Sequence, residues 1–298
     1  MKTKNISLLA KLALLMAAII WGSSFIIVKN TVDVLPPNML LAVRFSLACA
    51  LLSVIYHKRL RLINKEYLIS GAIIGFFLFL AYCSQTIGIT DTTPGKNAFL
   101  TAIYCVLVPF LYWFVNHTRP DRYNFLAALL CFTGIGFVSL TQNLTIGTGD
   151  LLTLLGGFFF AIHMVSVAKL TKDKDAILLT ILQFGFAAIF SVIITLLFET
   201  APKVSAISIE SVFGILYLVC FATAAALLLQ NVGQKYTPPS SASLILSLES
   251  VFGVLFSVLF FGDQLTVRLV IGFILIFLSI IVSETKLSFL KKRRNKTV

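Results

Sequence analysis

Charged side chains are scarce in this chain. Only 12% of its 298 residues are Asp, Glu, Lys or Arg, whereas soluble domains carry about a quarter. At the same time 58% of the residues are hydrophobic, which leaves too little polar surface to cover a water-soluble core. This balance excludes an ordinary soluble domain, and lipid must be the solvent for most of the chain.

The sequence motifs of several enzyme classes are also missing. The sequence has no Gly-x-Ser-x-Gly elbow, no His-Glu-x-x-His pair and no Walker-type phosphate loop, so it offers neither a hydrolytic centre nor an ATP site. Its cysteines lie inside apolar stretches without metal-ligand spacing; they are Cys49, Cys83, Cys105, Cys131 and Cys220. We therefore expect no enzyme, no cofactor and no metal site, and an intramembrane enzyme is only a remote alternative.

Long apolar stretches fill the chain instead. A membrane-spanning helix needs about 20 mostly apolar residues, and these stretches lack the two-residue alternation of barrel strands. We predict an all-α integral membrane protein with ten transmembrane helices and short connections. The predicted spans are residues 8–28, 38–56, 67–89, 97–115, 123–141, 151–168, 176–198, 212–232, 240–261 and 267–283.

The two halves of the chain repeat each other. Three residues of the first half recur in the second half at a constant offset of 145 positions: Gln85, Gly88 and Pro94 match Gln230, Gly233 and Pro239. We predict one five-helix repeat over residues 1–145 and a second over 146–298, the latter with a basic cytoplasmic tail. Because five crossings are an odd number, the second repeat is inverted. Inverted repeats are typical of secondary transporters, in which they form a site near the middle of the membrane.

Basic residues predict the orientation. Of the 24 Lys and Arg residues, 19 fall on the side that holds both termini and four on the other, while Arg44 lies within a span. The positive-inside rule therefore places both termini in the cytoplasm. Since the net charge of +12 is concentrated beside the spans, we attribute it to topology and expect no nucleic-acid partner.

Glu249 is the most deeply placed ionisable residue. An ionised group at the centre of the bilayer costs about 2.5 to 3.5 kcal/mol on insertion scales, so such groups mark functional sites by default. The carboxyl group could bind a cation or an ammonium group, or take up protons as a coupling group. The alternative is a structural carboxyl group that is hydrogen-bonded to Ser247, Ser250 or a neighbouring helix. The sequence favours a functional role.

Two further ionisable residues lie within spans. Arg44 could clamp a carboxylate or a phosphate with its planar guanidinium group. Alternatively, its long side chain could extend to the outer lipid headgroups. His163 could accept a proton or bind substrate, or simply be a packed histidine, and it has no partner at metal-ligand spacing. For each of these residues both interpretations stay open at this point.

Weaker signals come from uncharged side chains. Hydrogen-bonding groups lie in or near the third, fourth and eighth spans, on Tyr82, Gln85, Asn97, Tyr104, Gln230 and Asn231, and Tyr104 is the repeat partner of Glu249. Such groups could line a site for an amphipathic solute or simply join helices. Trp21 could line the same cavity or anchor the first span at an interface. A further signal, Pro109, predicts a kink in the fourth span.

These motifs resemble EamA-type members of the drug/metabolite transporter superfamily along essentially the whole chain. The resemblance implies a plasma-membrane carrier that works by alternating access and moves small metabolites such as amino acids, often outward. It also implies a central cavity lined by the first four spans of each half. Asp263, where the family more often has Glu, and Ala161, at the repeat position of Trp21, depart from the pattern. The motifs that carry the resemblance are Trp21-Gly22-Ser23-Ser24-Phe25 with Lys29, Arg44-Phe45, Tyr82 and Gln85 through Pro94 to Pro109, Pro238 to Glu249, and Phe261-Gly262-Asp263.

The leading hypothesis is a secondary transporter of an amino acid or a related zwitterion, with protons as a candidate coupling ion. Glu249 and Arg44 would hold opposite ends of this substrate. The alternative is efflux of apolar cationic drugs, in which Glu249 and the aromatic residues hold a cation. Dependence of transport on Arg44 would favour the zwitterion.

Overall fold

The fold is a bundle of membrane-length helices. A computed structural model describes residues 2–117, 119–140, 146–202, 207–237 and 239–286. Within these ranges nine helical stretches are long and apolar enough to cross a membrane, and a shorter apolar helix spans Val267–Ser283. The predicted all-helical membrane fold is confirmed. Residue 141, Pro238 and the basic tail beyond 286 lie outside the described residues, so the predicted end of the fifth span is not described.

The chain crosses the membrane in alternating directions. We use "near face" for the membrane face at which α1 begins and "far face" for the one at which it ends. The helices are α1 (Lys2–Val32), α2 (Pro37–Ile55), α3 (Lys65–Gly88), α4 (Pro94–Thr101), α5 (Tyr104–Asn116), α6 (Arg122–Ser139), α7 (Thr148–Leu170), α8 (Ala176–Phe198), α9 (Ile209–Tyr217), α10 (Ala226–Lys235), α11 (Pro239–Leu246), α12 (Leu248–Phe256) and α13 (Val267–Thr285).

Local sequence signals explain where the helices begin. Asn64, Thr93 and Asp175 each accept a hydrogen bond from a backbone N–H of the first turn of the next helix, which satisfies a group that no helical partner can reach. Asp121 and Asn124 form a reciprocal capping box at the start of α6. These polar caps stop the spans at short turns, as the sequence predicts.

Two spans are interrupted at equivalent positions. The fourth span breaks at Ala102 and Ile103, between α4 and α5, and the ninth breaks at Ser247, between α11 and α12. Ala102 and Ser247 are 145 residues apart, the offset of the repeat. Pro109 lies inside α5, and α12 contains no proline. The interruption is therefore a feature that both repeats share, and it does not lie at Pro109, where a kink was expected.

The eighth span widens in its middle. Between α9 and α10 the chain forms a π-helical segment, Leu218–Ala225. π-Helical turns are rare, and they occur frequently at functional sites because they redirect side chains and backbone carbonyls. No proline or glycine in this segment signals the change.

Helix packing follows the repeat. α3 packs against α7 and its counterpart α10 packs against α1, while α2 packs against α8 and α6 against α13. The α6–α13 pair approaches closely at Gly134, where an added Cβ atom would lie only 2.9 Å from the carbonyl oxygen of Gly272. Glycine at such crossings lets membrane helices approach closely.

Candidate functional site

The centre of the bundle holds a cavity with an empty volume of about 570 Å³, within the range of small-molecule sites. Seven of the eight predicted site residues line it: Trp21, Arg44, Tyr82, Gln85, Tyr104, Gln230 and Glu249. The eighth, His163, is not among the lining residues. Asn97, which the sequence also marks as a hydrogen-bonding position, lines the cavity too. The remaining lining residues were not among the predicted site residues; they are Ser24, Phe25, Val28, Ile89, Thr101, Phe160, Met164 and Leu246.

The cavity contains one acidic and one basic side chain, which no ion pair joins. Arg44 is 1% exposed and Glu249 is 5% exposed. The salt bridges found among the described residues join Arg59 to Asp175, Lys96 to Asp150 and Lys286 to Asp121. A buried charge without a partner is costly, so a ligand or solvent in the cavity would have to compensate either group in its ionised form.

Arg44 is held in place from the eighth span. Its Nε donates a hydrogen bond to Thr223 Oγ1 at 3.1 Å, and its guanidinium carbon lies 5.1 Å from the centre of the Tyr82 ring. The contact with Thr223 uses one of the five N–H donors of a guanidinium group. Burial beside the cavity excludes extension to the headgroups, and Arg44 is one of the residues that line the cavity.

The π-helical segment positions both Arg44 and Trp21. Thr223 Oγ1 donates to the Leu218 carbonyl at 2.7 Å while accepting from Arg44. The residue before Thr223 is Ala222, and its carbonyl accepts a hydrogen bond from Trp21 Nε1 at 2.8 Å. Adjacent residues of this segment therefore orient two cavity side chains. Sequence reasoning missed this role of Thr223, since nothing in the local composition indicates a π-helical turn.

Glu249 lies in the first turn of α12, directly after the interruption at Ser247. The hydroxyl groups of Ser247 and Ser250 donate to backbone carbonyls of Leu244 and Ser247, so the serines do not hold the carboxyl group. Tyr104 lines the same cavity, and its hydroxyl makes no hydrogen bond of normal geometry with a described residue. The carboxyl group of Glu249 is thus one of the polar groups of the cavity wall.

Polar side chains tie the far-face side of the cavity together. Gln85 Nε2 donates to Thr101 Oγ1 at 2.9 Å. Asn97 Nδ2 donates to Thr153 Oγ1 at 2.7 Å and to the Gln85 carbonyl at 3.3 Å. These bonds join α3, α4 and α7. Gln85 thus has a structural partner as well as a place on the cavity wall, and Thr101 is a lining residue that its spacing of four from Asn97 could have indicated.

Aromatic rings form one wall. The Tyr82 ring meets Phe160 edge-to-face at a centroid distance of 5.1 Å and Phe45 at 5.5 Å. Tyr104 and Trp21 line the same cavity. A wall of this kind accepts the apolar part of a ligand and can also face a cation.

His163 occupies a different place in the bundle. It is fully buried, and its Nε2 lies 3.1 Å from Gln183 Oε1. Its chain neighbour Met164 lines the cavity, so the rotation of α7 turns the imidazole towards α8. Among the residues that the structure describes, no group of three His, Cys, Asp or Glu side chains could hold a metal ion.

The fold and the buried polar cavity are those of a multi-pass membrane transporter. The model of the EamA-like transporter family matches the chain twice, over residues 8–140 and 147–285. The chain belongs to this family, and it is a transporter and not an enzyme.

Individual relatives agree with the family assignment. An uncharacterized transporter of Archaeoglobus fulgidus is 34% identical over 92% of this chain and 85% of its own length. The uncharacterized transporter YyaM of Bacillus subtilis is 25% identical over 90% of each chain. A solved crystal structure shares the fold with a TM-score of 0.68 and 16% identity, covering 94% of this chain and 98% of the other.

Proposed function

We propose that this transporter is a secondary carrier of an amino acid or a related zwitterion. The observation that supports the proposal most strongly is the presence of one buried acid, Glu249, and one buried base, Arg44, in a single cavity without an ion pair to either. A zwitterion supplies the opposite charge to both residues. A singly charged ligand would leave one of them uncompensated.

The chemistry of the cavity suggests how the substrate binds. The planar guanidinium group of Arg44 takes the carboxylate, for which its geometry is suited, and Glu249 takes the ammonium group. Tyr82 lines the same cavity as Glu249, and its ring centre lies 5.1 Å from the guanidinium carbon of Arg44. The side chain of the substrate then meets apolar groups such as Phe160 and Leu246, which also line the cavity.

The inverted repeat supports an alternating-access cycle. Two repeats of opposite orientation give a central site two nearly equivalent routes, one to each face. We assign both termini and the near face to the cytoplasm on the distribution of Lys and Arg, which makes the plasma membrane the site of action. Export is the proposed direction, by analogy with the family that the sequence resembles.

Protons are the proposed coupling ion. Glu249 is the acidic residue that lines the cavity, and a proton and a substrate ammonium group would compete for the same carboxylate. Binding of one would then favour release of the other, which is the thermodynamic requirement for exchange.

The experiment is uptake of a panel of labelled amino acids by proteoliposomes, with and without a proton gradient. Wild type is compared with Glu249→Gln, and Glu210→Gln is the control because Glu210 lies at the start of α9, outside the cavity. We expect saturable uptake that Glu249→Gln reduces at least about tenfold, a loss of roughly 1.4 kcal/mol of interaction. Equal uptake by wild type and Glu249→Gln at every pH would contradict this role.

Efflux of apolar cationic drugs is a second candidate because aromatic rings line the wall beside Glu249. In this case the positive charge of Arg44 would oppose the ligand. Arg44→Gln should therefore abolish amino-acid transport if the substrate is a zwitterion. If the substrate is a cation, Arg44→Gln should leave transport of a cationic dye intact or increase it.

A further inference from the structure

A second set of buried polar residues lies outside the cavity, between α7, α8 and α10. We call it the α8 polar cluster and define it as His163, Thr180, Gln183 and Asn231. The His163 Nε2 lies 3.1 Å from Gln183 Oε1, and Asn231 Nδ2 donates to Thr180 Oγ1 at 2.9 Å. Thr180 and Gln183 are three residues apart on α8, so the two interhelical contacts lie side by side on one face.

The cluster is buried but its hydrogen bonds are incomplete. Each of its four side chains is at most 1% exposed. The Gln183 Nε2 donor, the His163 Nδ1 atom and the Asn231 Oδ1 acceptor have no hydrogen-bond partner among the described residues. Because a carbonyl oxygen only accepts, His163 Nε2 carries the proton in its contact with Gln183, which makes Nδ1 an acceptor in the neutral ring. Buried polar atoms of this kind are usually paired, so several unmet ones together require an explanation.

The repeat supplies that explanation. Gln183 is the eighth residue of α8, as Arg44 is the eighth residue of α2. Since α2 starts at the far face and α8 at the near face, Arg44 lies in the far half of the membrane and Gln183 in the near half. His163 likewise matches Ser23, the neighbour of the lining residue Ser24, and Asn231 matches Thr86, the neighbour of Gln85. Gln183 thus stands in the second repeat where the lining residue Arg44 stands in the first, and His163 and Asn231 stand beside the matches of lining residues.

We propose that the α8 polar cluster is the near-face half of the transport path, closed in this structure and open to water and substrate in the opposite conformation. In an inverted repeat the two halves exchange conformations when access changes sides. The side chains that now bond to one another across α7, α8 and α10 would then separate and line the route. This inference rests on the proposed function and extends it to a second substrate-contacting region.

The chemistry of the cluster suits passage of a zwitterion. The cavity offers a guanidinium group and a carboxyl group, whereas the cluster offers only amide, hydroxyl and imidazole groups. Neutral hydrogen bonds are about half as strong as charge-assisted ones. A substrate would bind firmly between Arg44 and Glu249 and more weakly at the cluster, so that it can leave towards the near face.

Thiol accessibility tests the inference. Gln183→Cys and Asn231→Cys are made singly, native cysteines are retained, and an impermeant maleimide is added to sealed vesicles of either orientation. Labelling is followed at each cysteine by mass spectrometry. Ser24→Cys, on the cavity wall in the far half of α1, reports on the other route. Ser279→Cys is the control because Ser279 is equally buried in α13, where its hydroxyl donates to the Ile276 carbonyl of its own helix.

We expect Gln183→Cys and Asn231→Cys to react from the near face at least about tenfold faster than Ser279→Cys, because reactivity follows the population of the open state. Ser24→Cys should react from the far face. Reaction at the control rate from both faces, with Ser24→Cys labelled normally, would overturn the inference. If Gln183→Cys does not fold, Asn231→Cys and His163→Cys decide the matter.

Uptake by wild-type protein, measured in parallel, separates this inference from the proposed function. Amino-acid uptake combined with an unreactive cluster leaves the carrier proposal standing and overturns the near-face route. A reactive cluster in a protein that transports no amino acid supports the route and contradicts the proposed substrate.

Discussion

Tyr104 and Glu249 occupy equivalent positions in the two repeats, and both line the central cavity. Each also follows the interruption of its span: α5 begins at Tyr104, and Glu249 is in the first turn of α12. The same architecture therefore presents a neutral hydroxyl from one repeat and a carboxyl group from the other. Arg44 and Gln183 show the reverse asymmetry, with the charge in the first repeat. The acid and the base of the cavity therefore come from different repeats, Glu249 from the second and Arg44 from the first.

Thr223 should act on transport through Arg44. Removing its hydroxyl in Thr223→Val deprives Arg44 Nε of an acceptor, so the guanidinium group loses its fixed orientation and amino-acid affinity should fall. A neutral hydrogen bond is worth about 1 kcal/mol and one to a charged group about 1.5 to 3, which predicts a KM at least roughly tenfold higher. Thr223→Ser keeps the hydroxyl and should restore the KM. Equal KM values for Thr223→Val and wild type would show that Thr223 does not position Arg44.

The ion pair between Lys96 and Asp150 should stabilise the conformation of this structure, in which the near-face route is closed. Their charged atoms are 2.6 Å apart, and the contact joins α4 of the first repeat to α7 of the second. Thr92 Oγ1 donates to the same carboxylate at 2.7 Å. At the near face the equivalent positions hold Ala10 and Ser241, which cannot form an ion pair.

Asp150→Asn should therefore shift the protein away from this conformation. Labelling of Ser24→Cys from the far face should become several-fold slower, and the double replacement Lys96→Asp with Asp150→Lys should partly reverse the change. The reversal is incomplete because a cation at the start of α7 opposes the helix dipole. Unchanged labelling in Asp150→Asn would mean that this ion pair does not control access.

Gly253 should tolerate no side chain. A Cβ atom there would lie 2.4 Å from the Cβ of Ala98, where α12 crosses α4 one turn after Glu249. Gly253→Ala should lower the free energy of unfolding by about 1 to 3 kcal/mol, as overpacking usually does. In the matched change, Gly136→Ala, the new Cβ meets only Leu140 Cδ1 at 3.5 Å and should be neutral. Denaturation in detergent measures both, and equal effects would refute the close crossing.

Asp121 gives the stability a pH-dependent component at the near face. Burial alone would raise the pKa of its carboxyl group, but hydrogen bonds from Lys286 and from the backbone of Asn124 and Tyr123 outweigh it and lower the pKa below its ordinary value. A lowered pKa in the folded state stabilises the protein above the ordinary pKa, and this contribution disappears as the pH falls through the folded value.

Asp121→Asn isolates the charge because asparagine can still cap α6. In detergent, the variant should be less stable than wild type at pH 6, and the difference should shrink below about pH 4, near the ordinary pKa of Asp. A constant difference between pH 3 and pH 6 would indicate that the charge of Asp121 does not contribute.

The repeat and the cavity residues are predictable for physical reasons. Gln85, Gly88 and Pro94 recur as fixed landmarks of the second repeat, and odd helix numbers impose inversion. Arg44 and Glu249 could be singled out because lipid excludes ions, so an ionisable side chain within a span must face an interior. Both residues indeed line the cavity, and the amide and aromatic residues nearby follow the same reasoning.

Which other side chains reach the cavity depends on how each helix is rotated about its axis. This rotation is determined by the packing of the whole bundle. His163 and Met164 are neighbours in α7, yet only Met164 reaches the cavity. An apolar span in lipid has no solvent-facing side to indicate its rotation. The π-helical segment and the role of Thr223 have no local signature either, and the interruption of the fourth span lies at Ala102 and Ile103 instead of at Pro109.

The most direct test of a site with one acid and one base is competition among molecules that differ in one charge. Uptake of labelled leucine by wild-type proteoliposomes is measured in the presence of leucine, of the amine that lacks its carboxylate, and of the acid that lacks its amino group. Because each analogue leaves Arg44 or Glu249 uncompensated, we expect both to compete at least about a hundredfold more weakly, a difference of roughly 2.8 kcal/mol. Competition by the amine as strong as that by leucine would contradict the account.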